Sequence, residues 1–339
     1  MTRLGNLGLV LTLTVPLLTL GAQEHAPAAA PQAAVAQDEH ATPAAEHATP
    51  EAVDIITPHI MDGYDMELPY WRPPFAKHVC LGRMNEATHE CGPLWEPVQI
   101  GGVELQLSPT KHVVMLMIAA ILATVILVGT ARAHTRHTHA VGRPKGFAAG
   151  MEGMVLYLRN EVIMKNIGPH GEGYAPYLLT VFFFLLFANL LGLIPYGSTA
   201  TGNVSVTATM AILTLIVTEI SGIRAQGLGY LNTIFYWNRD LGLPMRIVMF
   251  FVMTPVEIAS KLTKPFALAI RLFANMTAGH IVVLAFIGLI FTFKLPVGFA
   301  PLLMAIGIML LEIFVSFLQA FIFTLLTTVF IGQMRVAHH

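Results

Sequence analysis

One arginine stands alone in an apolar stretch. In FALAIRLFANMTAGH, Arg271 has no other charge within six residues on either side. A guanidinium keeps its proton at any accessible pH. Arg271 is therefore a permanent cation. It cannot relay a proton, but it can hold a carboxylate ionised and interrupt a proton wire. The structural alternative is a buried ion pair that only fixes helix register. No acid of this chain lies at an evident matching depth, so the partner is expected on another subunit. His280 follows nine residues later, and Glu312 sits near the start of the last apolar run. If those two runs are antiparallel helices, the pair falls at one depth. A histidine and a glutamate at one depth make a proton relay, because imidazole titrates near neutrality and burial brings a carboxylate toward that range. A static His–Glu hydrogen bond is the plainer reading. The same register puts Gln319 within about one turn of Arg271. Glu257 precedes Arg271 by 14 residues, about 21 Å of helix on the other side. Its plainer reading is a solvated helix end paired with Lys261 at i, i+4. A fixed cation between an inner acid and an outer His/Glu pair divides two half-channels; a simple pore would not carry that charge. Asn189 and Asn203 bracket the outer turn of the preceding hairpin. They either hydrate the outer access or serve as turn and cap residues.

Such a constellation needs membrane helices, and the composition supplies them. Of 339 residues, 55% are hydrophobic and 12% charged, against about 25% charged in soluble domains. The net charge is close to zero, and no basic face with interleaved aromatics points to nucleic acid. Residues 111–339 read as an all-α integral membrane domain with five crossings. Val113–Ala133 is the first, followed by Arg132, His134, Arg136, Arg143 and Lys145. This basic cluster marks the cytoplasmic side. Residues 147–167 mix apolar and charged positions at i, i+3, i+4 spacing, as an interfacial amphipathic helix does. Ala175–Pro195 runs outward and Asn203–Gly222 returns. Ile247–Phe293 would measure roughly 70 Å as one helix, against a hydrocarbon core of about 30 Å. Leu302–Val329 is also overlong. These last two helices must be strongly tilted or broken, and a tilt needs a protein neighbour to set it. The C-terminus then lies in the cytoplasm.

The N-terminus reads as exported. Residues 1–22 resemble a signal peptide, with Arg3 before an apolar Leu7–Leu20 and small Gly21 and Ala22. Residues 23–52 are an Ala/Pro/His-rich stretch that cannot bury a core, hence a disordered linker. His25, His40 and His47 are too irregularly spaced to argue for a metal. Residues 53–110 form a periplasmic segment holding both cysteines, Cys80 and Cys91. A disulfide is favoured there over free thiols, and a metal site with His78 and His89 comes behind both.

At the motif level, residues 108–336 resemble the a subunit of bacterial and mitochondrial F-type ATP synthases. Lys264-Pro265 through Arg271-Leu272-Phe273-Ala274-Asn275-Met276 to Gly279 is similar to the segment around that family's essential arginine. Leu318-Gln319-Ala320-Phe321-Ile322-Phe323 is similar to its last-helix pattern, and Asn189-Leu190 to Pro195 to its outer turn. The resemblance implies a proton-translocating stator subunit of the inner membrane, non-catalytic by itself and without a cofactor. It implies a c-ring whose carboxylates pass Arg271, with Asn275 and Gln319 beside the arginine. It implies peripheral-stalk b-type partners. His280 and Glu312 occupy the outer relay positions, in an order that some members reverse, and Glu257 an inner acidic position. The N-terminal extension is the main departure. A secondary transporter with Arg271 binding an anionic substrate is the competing class; it predicts internal repeats and broken helices. A membrane scaffold is the third, and the mid-membrane arginine counts against it.

Overall fold

A computed structural model describes residues 62–69, 76–84, 91–96, 98–100, 103–105, 108–137, 146–194, 198–230, 235, 242–293 and 298–335. The expected signal peptide, the linker and its histidines, His89, and Arg143 and Lys145 of the basic cluster lie outside them. Among the described residues seven α-helices carry the fold: α1 Lys111–His137, α2 Phe147–Tyr157, α3 Met164–Ile167, α4 Ala175–Gly192, α5 Val204–Gln226, α6 Leu243–Phe293 and α7 Phe299–Arg335. Five of them, α1, α4, α5, α6 and α7, are long and apolar enough to cross a membrane. The protein is a helical, multi-pass membrane protein.

Helix α4 is apolar on every side, and such a helix belongs in the middle of a bundle. Its Phe182, Phe183, Phe184 and Leu185 are buried, packed between α1 and α7. Helix α5 packs on both α6 and α7. Threonines lace these interfaces: Thr214, Thr218, Thr327 and Thr328 each return their hydroxyl to the carbonyl four residues back. Those four hydroxyls are thereby satisfied in an apolar interior.

Helix α6 runs unbroken for 51 residues through Pro255 and Pro265, roughly 75 Å. Helix α7 runs for 37, roughly 55 Å. Of the two possibilities open to overlong helices, breakage is therefore excluded. Phe251, Val256, Phe266 and Ile270 of α6 and Leu310 and Phe314 of α7 are exposed. This pair is the least covered part of the bundle, whereas α4 is the most covered.

Residues 147–167 are helical as the spacing requires, with one irregularity. A π-helical stretch, Leu158–Ile163, joins α2 to α3. Leu158, Val162 and Ile163 are buried while Arg159, Glu161 and Lys165 face outward. The outward side carries the ion pairs Lys165–Glu161 and Arg159–Glu172, 2.9 Å apart.

The segment before α1 departs from the all-α expectation. It forms three antiparallel two-stranded ribbons: β1 Asp65–Pro69 with β2 Ala76–Cys80, β3 Arg83–Met84 with β4 Cys91–Gly92, and β5 Val98–Ile100 with β6 Val103–Leu105. Its mix of polar, aromatic and turn residues has no helical period, and two-stranded ribbons satisfy the backbone without a large core. Cys80 and Cys91 are joined in a disulfide with Cα atoms 5.7 Å apart, tying the first ribbon to the second. Asp62 then clasps this segment to the bundle. Its carboxylate lies 2.7 Å from His112 Nδ1 on α1 and accepts from Asn203 at the start of α5, 3.4 Å away. The Lys111 amide donates to the Gly63 carbonyl, 2.9 Å away.

Candidate functional site

A close contact beside the functional residues sets the register of α6 against α7 there. Toward the C-terminal end of α6, which the sequence reading assigns to the outer side, a Cβ built on Gly279 would lie 2.1 Å from Oε1 of Glu312. The Glu312 carboxyl therefore rests directly on the glycine backbone, one residue from His280. Toward the inner end, Lys264 Nζ donates to Gln333 Oε1 at 3.3 Å. Moving inward from the outer contact, Arg271 comes eight residues before Gly279 and Gln319 seven after Glu312. Both distances are about 11 Å of helix. Arg271 and Gln319 thus share one level. The antiparallel pairing of His280 with Glu312 follows from the same register.

Around the outer pair the polar groups are few and specific. His280 Nδ1 is 3.4 Å from Thr199 Oγ1, and that hydroxyl donates to the Gly192 carbonyl, 3.1 Å away. The single threonine proton is thereby used, so Nδ1 acts as the donor to Thr199. The lone pair of a neutral ring then sits on Nε2. Asn189 is fully buried and donates to the Ser316 carbonyl of α7 at 3.5 Å, one turn inward of Glu312. Glu312 Oε1, Asn189 Oδ1 and Ser316 Oγ are all buried without a hydrogen-bond partner among the described residues. Buried polar atoms almost always find a partner, water included. Asn189 Oδ1 and Ser316 Oγ share the α4–α7 seam one turn from Glu312, and two such orphans suit a bound water.

Asn203 is a cap. Its side chain accepts from the Ser205 amide at 2.9 Å and starts α5. Of the two readings open for this residue, the capping one describes the structure, with the Asp62 contact in addition. Asn189 is neither turn nor cap.

Arg271 is exposed, as is Asn275 one turn later, and Gln319 is buried. Among the described residues Arg271 has no hydrogen bond or ion pair. The cation points off the bundle on the uncovered apolar face, next to exposed Ile270 and Phe266. An unpaired guanidinium in an apolar setting is costly, and no counter-charge for it is found among the described residues.

On the side of Glu257, the i, i+4 pair with Lys261 that was the plainer reading of this acid is not formed. Lys261 is buried and turns to α5 instead. Its Nζ donates to Tyr230 Oη at 2.6 Å and lies 3.4 Å from Glu219. Tyr230 donates its proton to Glu219 Oε2 at 2.5 Å. Burial, then the Glu219 hydrogen bond and charge, and the charge of Glu257 push the Tyr230 phenol well above its ordinary range, so it remains a neutral donor. The tyrosine ring fits because Gly222 leaves room: a Cβ there would be 2.3 Å from the ring. Glu257 is half-buried and has no hydrogen bond or ion pair among the described residues. Sequence reading passed over Glu219. The signal was present, an acid inside the apolar run TLIVTEISGI, but its partners lie on other elements.

The family model for the ATP synthase A chain matches residues 112–332, a range that holds Arg271, His280, Glu312, Glu257, Asn275, Gln319, Asn189 and Asn203. The chain is 48% identical over 246 residues to ATP synthase subunit a of Chloroherpeton thalassium, covering 71% of this chain and 70% of that one. It is 40% identical over 349 residues to ATP synthase subunit a of Chlorobium phaeobacteroides, covering 97% and 94%. It is 39% identical over 324 residues to that of Anaeromyxobacter dehalogenans, covering 94% and 80%.

This chain belongs to the ATP synthase A chain family.

As a member of the ATP synthase A chain family it is a non-catalytic, membrane-embedded subunit of a multi-subunit complex. Two of these bacterial relatives align with nearly the whole chain, so the N-terminal extension is less of a departure than the motifs alone suggested. The transporter alternative expected helices broken around a site. Helix α6 passes Arg271 without a break.

Proposed function

We propose that this chain is the proton-translocating stator subunit of a rotary F-type ATP synthase, with Arg271 facing a c-ring. The observation that carries the reading is the placement of Arg271. It is exposed and unpaired on the uncovered face of α6, with the His280–Gly279–Glu312 contact outward of it and the half-buried Glu257 inward. A ring of carboxylates would supply the missing counter-charge, and the ring's flank would set the tilt of α6 and α7. Protons reach a ring carboxylate through the outer half-channel past Asn189, His280 and Glu312. They ride the ring, and leave past Glu257. Arg271, with Asn275 and Gln319 beside it, draws the deprotonated carboxylate and blocks direct passage.

The energetic demand explains why the charge must be permanent. One proton crossing 100 mV is worth about 2.3 kcal/mol, so any leak past the arginine dissipates the drive. We place the protein in a bacterial inner membrane with five crossings, the N-terminus outside and the C-terminus inside. The extension follows a cleaved signal peptide, and b-type stalk subunits hold the stator. Arg271→Ala is expected to abolish ATP-driven proton pumping in inverted vesicles while the subunit still assembles. Lys is a poor substitute, since a compact ammonium lacks the delocalised fork. Normal pumping by an assembled Arg271→Ala complex would reject the proposal.

A further inference from the structure

The unexpected partner of Lys261 has a consequence for Glu257. A glutamate four residues before a lysine is the favourable order for an i, i+4 helix pair. Glu257 and Lys261 have that order and lie on one face of α6, yet the pair is absent. The ammonium is held by Glu219 and Tyr230 across the α5–α6 seam, at 3.4 Å and 2.6 Å. We infer that Glu219 is a positioning residue that, through Tyr230, diverts Lys261 from Glu257 and so keeps that carboxylate unpaired for proton transfer. This deepens the proposed role of Glu257 and rests on it.

Two features support the diversion. Lys261 is buried, and Tyr230 is among the largest fully buried side chains, so the contact is built into the packing. The node is also charge-balanced, one ammonium against one carboxylate with a neutral phenol between them.

Among the described residues, α5 and the turn after it bring Glu219, Arg224 and Tyr230 to these helix ends. From α6 come Lys261 and Lys264, and Lys264 is engaged with Gln333 of α7 at 3.3 Å. On α7 the end of the helix offers Gln333 and Met334, while Arg335 donates to the Tyr174 hydroxyl at 3.2 Å. Lys261 is the cation at i, i+4 from Glu257, so loss of its contact to Glu219 would free it to turn toward that carboxylate.

The test is a two-residue cycle in the assembled complex. Passive proton conduction is measured in vesicles stripped of the catalytic head, with the amount of assembled subunit as control. Glu219→Gln is expected to lower conduction per assembled complex roughly tenfold, because one adjacent opposite charge shifts a carboxylate's protonation equilibrium by at least that factor. Adding Lys261→Gln is expected to restore it to within about twofold, since the intruding charge is gone. A role in packing alone predicts no such rescue. Normal conduction in Glu219→Gln, or equal loss in the single and double variants, overturns the inference. If Glu219→Gln fails to assemble, the double variant still decides, because removing both charges leaves no unpaired ion: conduction near normal supports the diversion and tenfold loss refutes it. Glu257→Gln serves as the separate arm. If it conducts normally, the inner half-channel assignment fails whatever the cycle shows.

Discussion

Adding one methyl group at Gly279 should disable proton transfer while leaving the bundle intact. In Gly279→Ala the new Cβ would meet Glu312 Oε1 at 2.1 Å, Cδ at 2.9 Å and Cγ at 3.2 Å. To regain the 3.4 Å of ordinary contact, Oε1 must retreat by at least 1.3 Å. The clashing atoms end a flexible side chain, so α6 and α7 need not separate. An off-rotamer adjustment costs about 0.5–1.5 kcal/mol, too little to prevent assembly. Proton transfer is far less tolerant, since a displacement of about 1 Å can lower a rate roughly 100-fold. The expected result is a near-normal quantity of assembled subunit with passive proton flux reduced ten- to 100-fold. Flux in head-stripped vesicles, normalised to subunit by immunoblot, measures it. Glu312→Asp in the Gly279→Ala background, with its shorter arm, is expected to recover part of the flux. Unimpaired flux in the assembled alanine variant would show that the seat of Glu312 on Gly279 is irrelevant to translocation.

Two further expectations concern stability. In Gly332→Ala the new Cβ would lie 2.2 Å from the backbone carbonyl oxygen of Asn166. No side chain can rotate away, so α7 and α3 must part, at about 1–3 kcal/mol. The unfolding midpoint of the detergent-solubilised subunit should fall, and an unchanged midpoint would contradict the close approach. At the outer face, burial raises Asp62, but the His112 hydrogen bond and charge, with Thr110 and the Gly63 amide, outweigh it and hold the carboxyl below its ordinary value of 3.8. A group depressed on folding stabilises above its unfolded value, and that contribution disappears as pH falls through the native one. The clasp should therefore hold at neutral pH and loosen below about pH 4. Asp62→Asn should loosen it at neutral pH by about 1.5–3 kcal/mol. Hydrogen exchange of the Lys111 amide, bonded to the Gly63 carbonyl at 2.9 Å, reports both; equal protection in wild type and variant at pH 7 would argue against the clasp.

What the chain states by itself is whatever depends on local composition and period. Apolar runs marked all five long helices, because a backbone in lipid must close its own hydrogen bonds and so becomes helical. The isolation of Arg271 was equally legible, since solitude in an apolar run is a property of sequence. So was the levelling of His280 with Glu312, once two consecutive runs were taken as antiparallel. What folding alone decided is which of several available partners each polar group takes. Local spacing favours Glu257 for Lys261, yet the ammonium goes to Glu219 and Tyr230, because a buried charge gains more from two acceptors brought from across the seam than from one half-buried neighbour. Asn189 and Asn203 looked alike as a bracket around a turn, but one is sealed against α7 and the other caps α5. The ribbons before α1, too short and irregular to carry a period, take their place from tertiary contacts such as the disulfide and the grip of Asp62 on His112. Spacing along a helix constrains depth and face. The choice of neighbour across a seam depends on side chains seated on the bare backbone of Gly222 and Gly279, and that closeness exists only in the folded bundle.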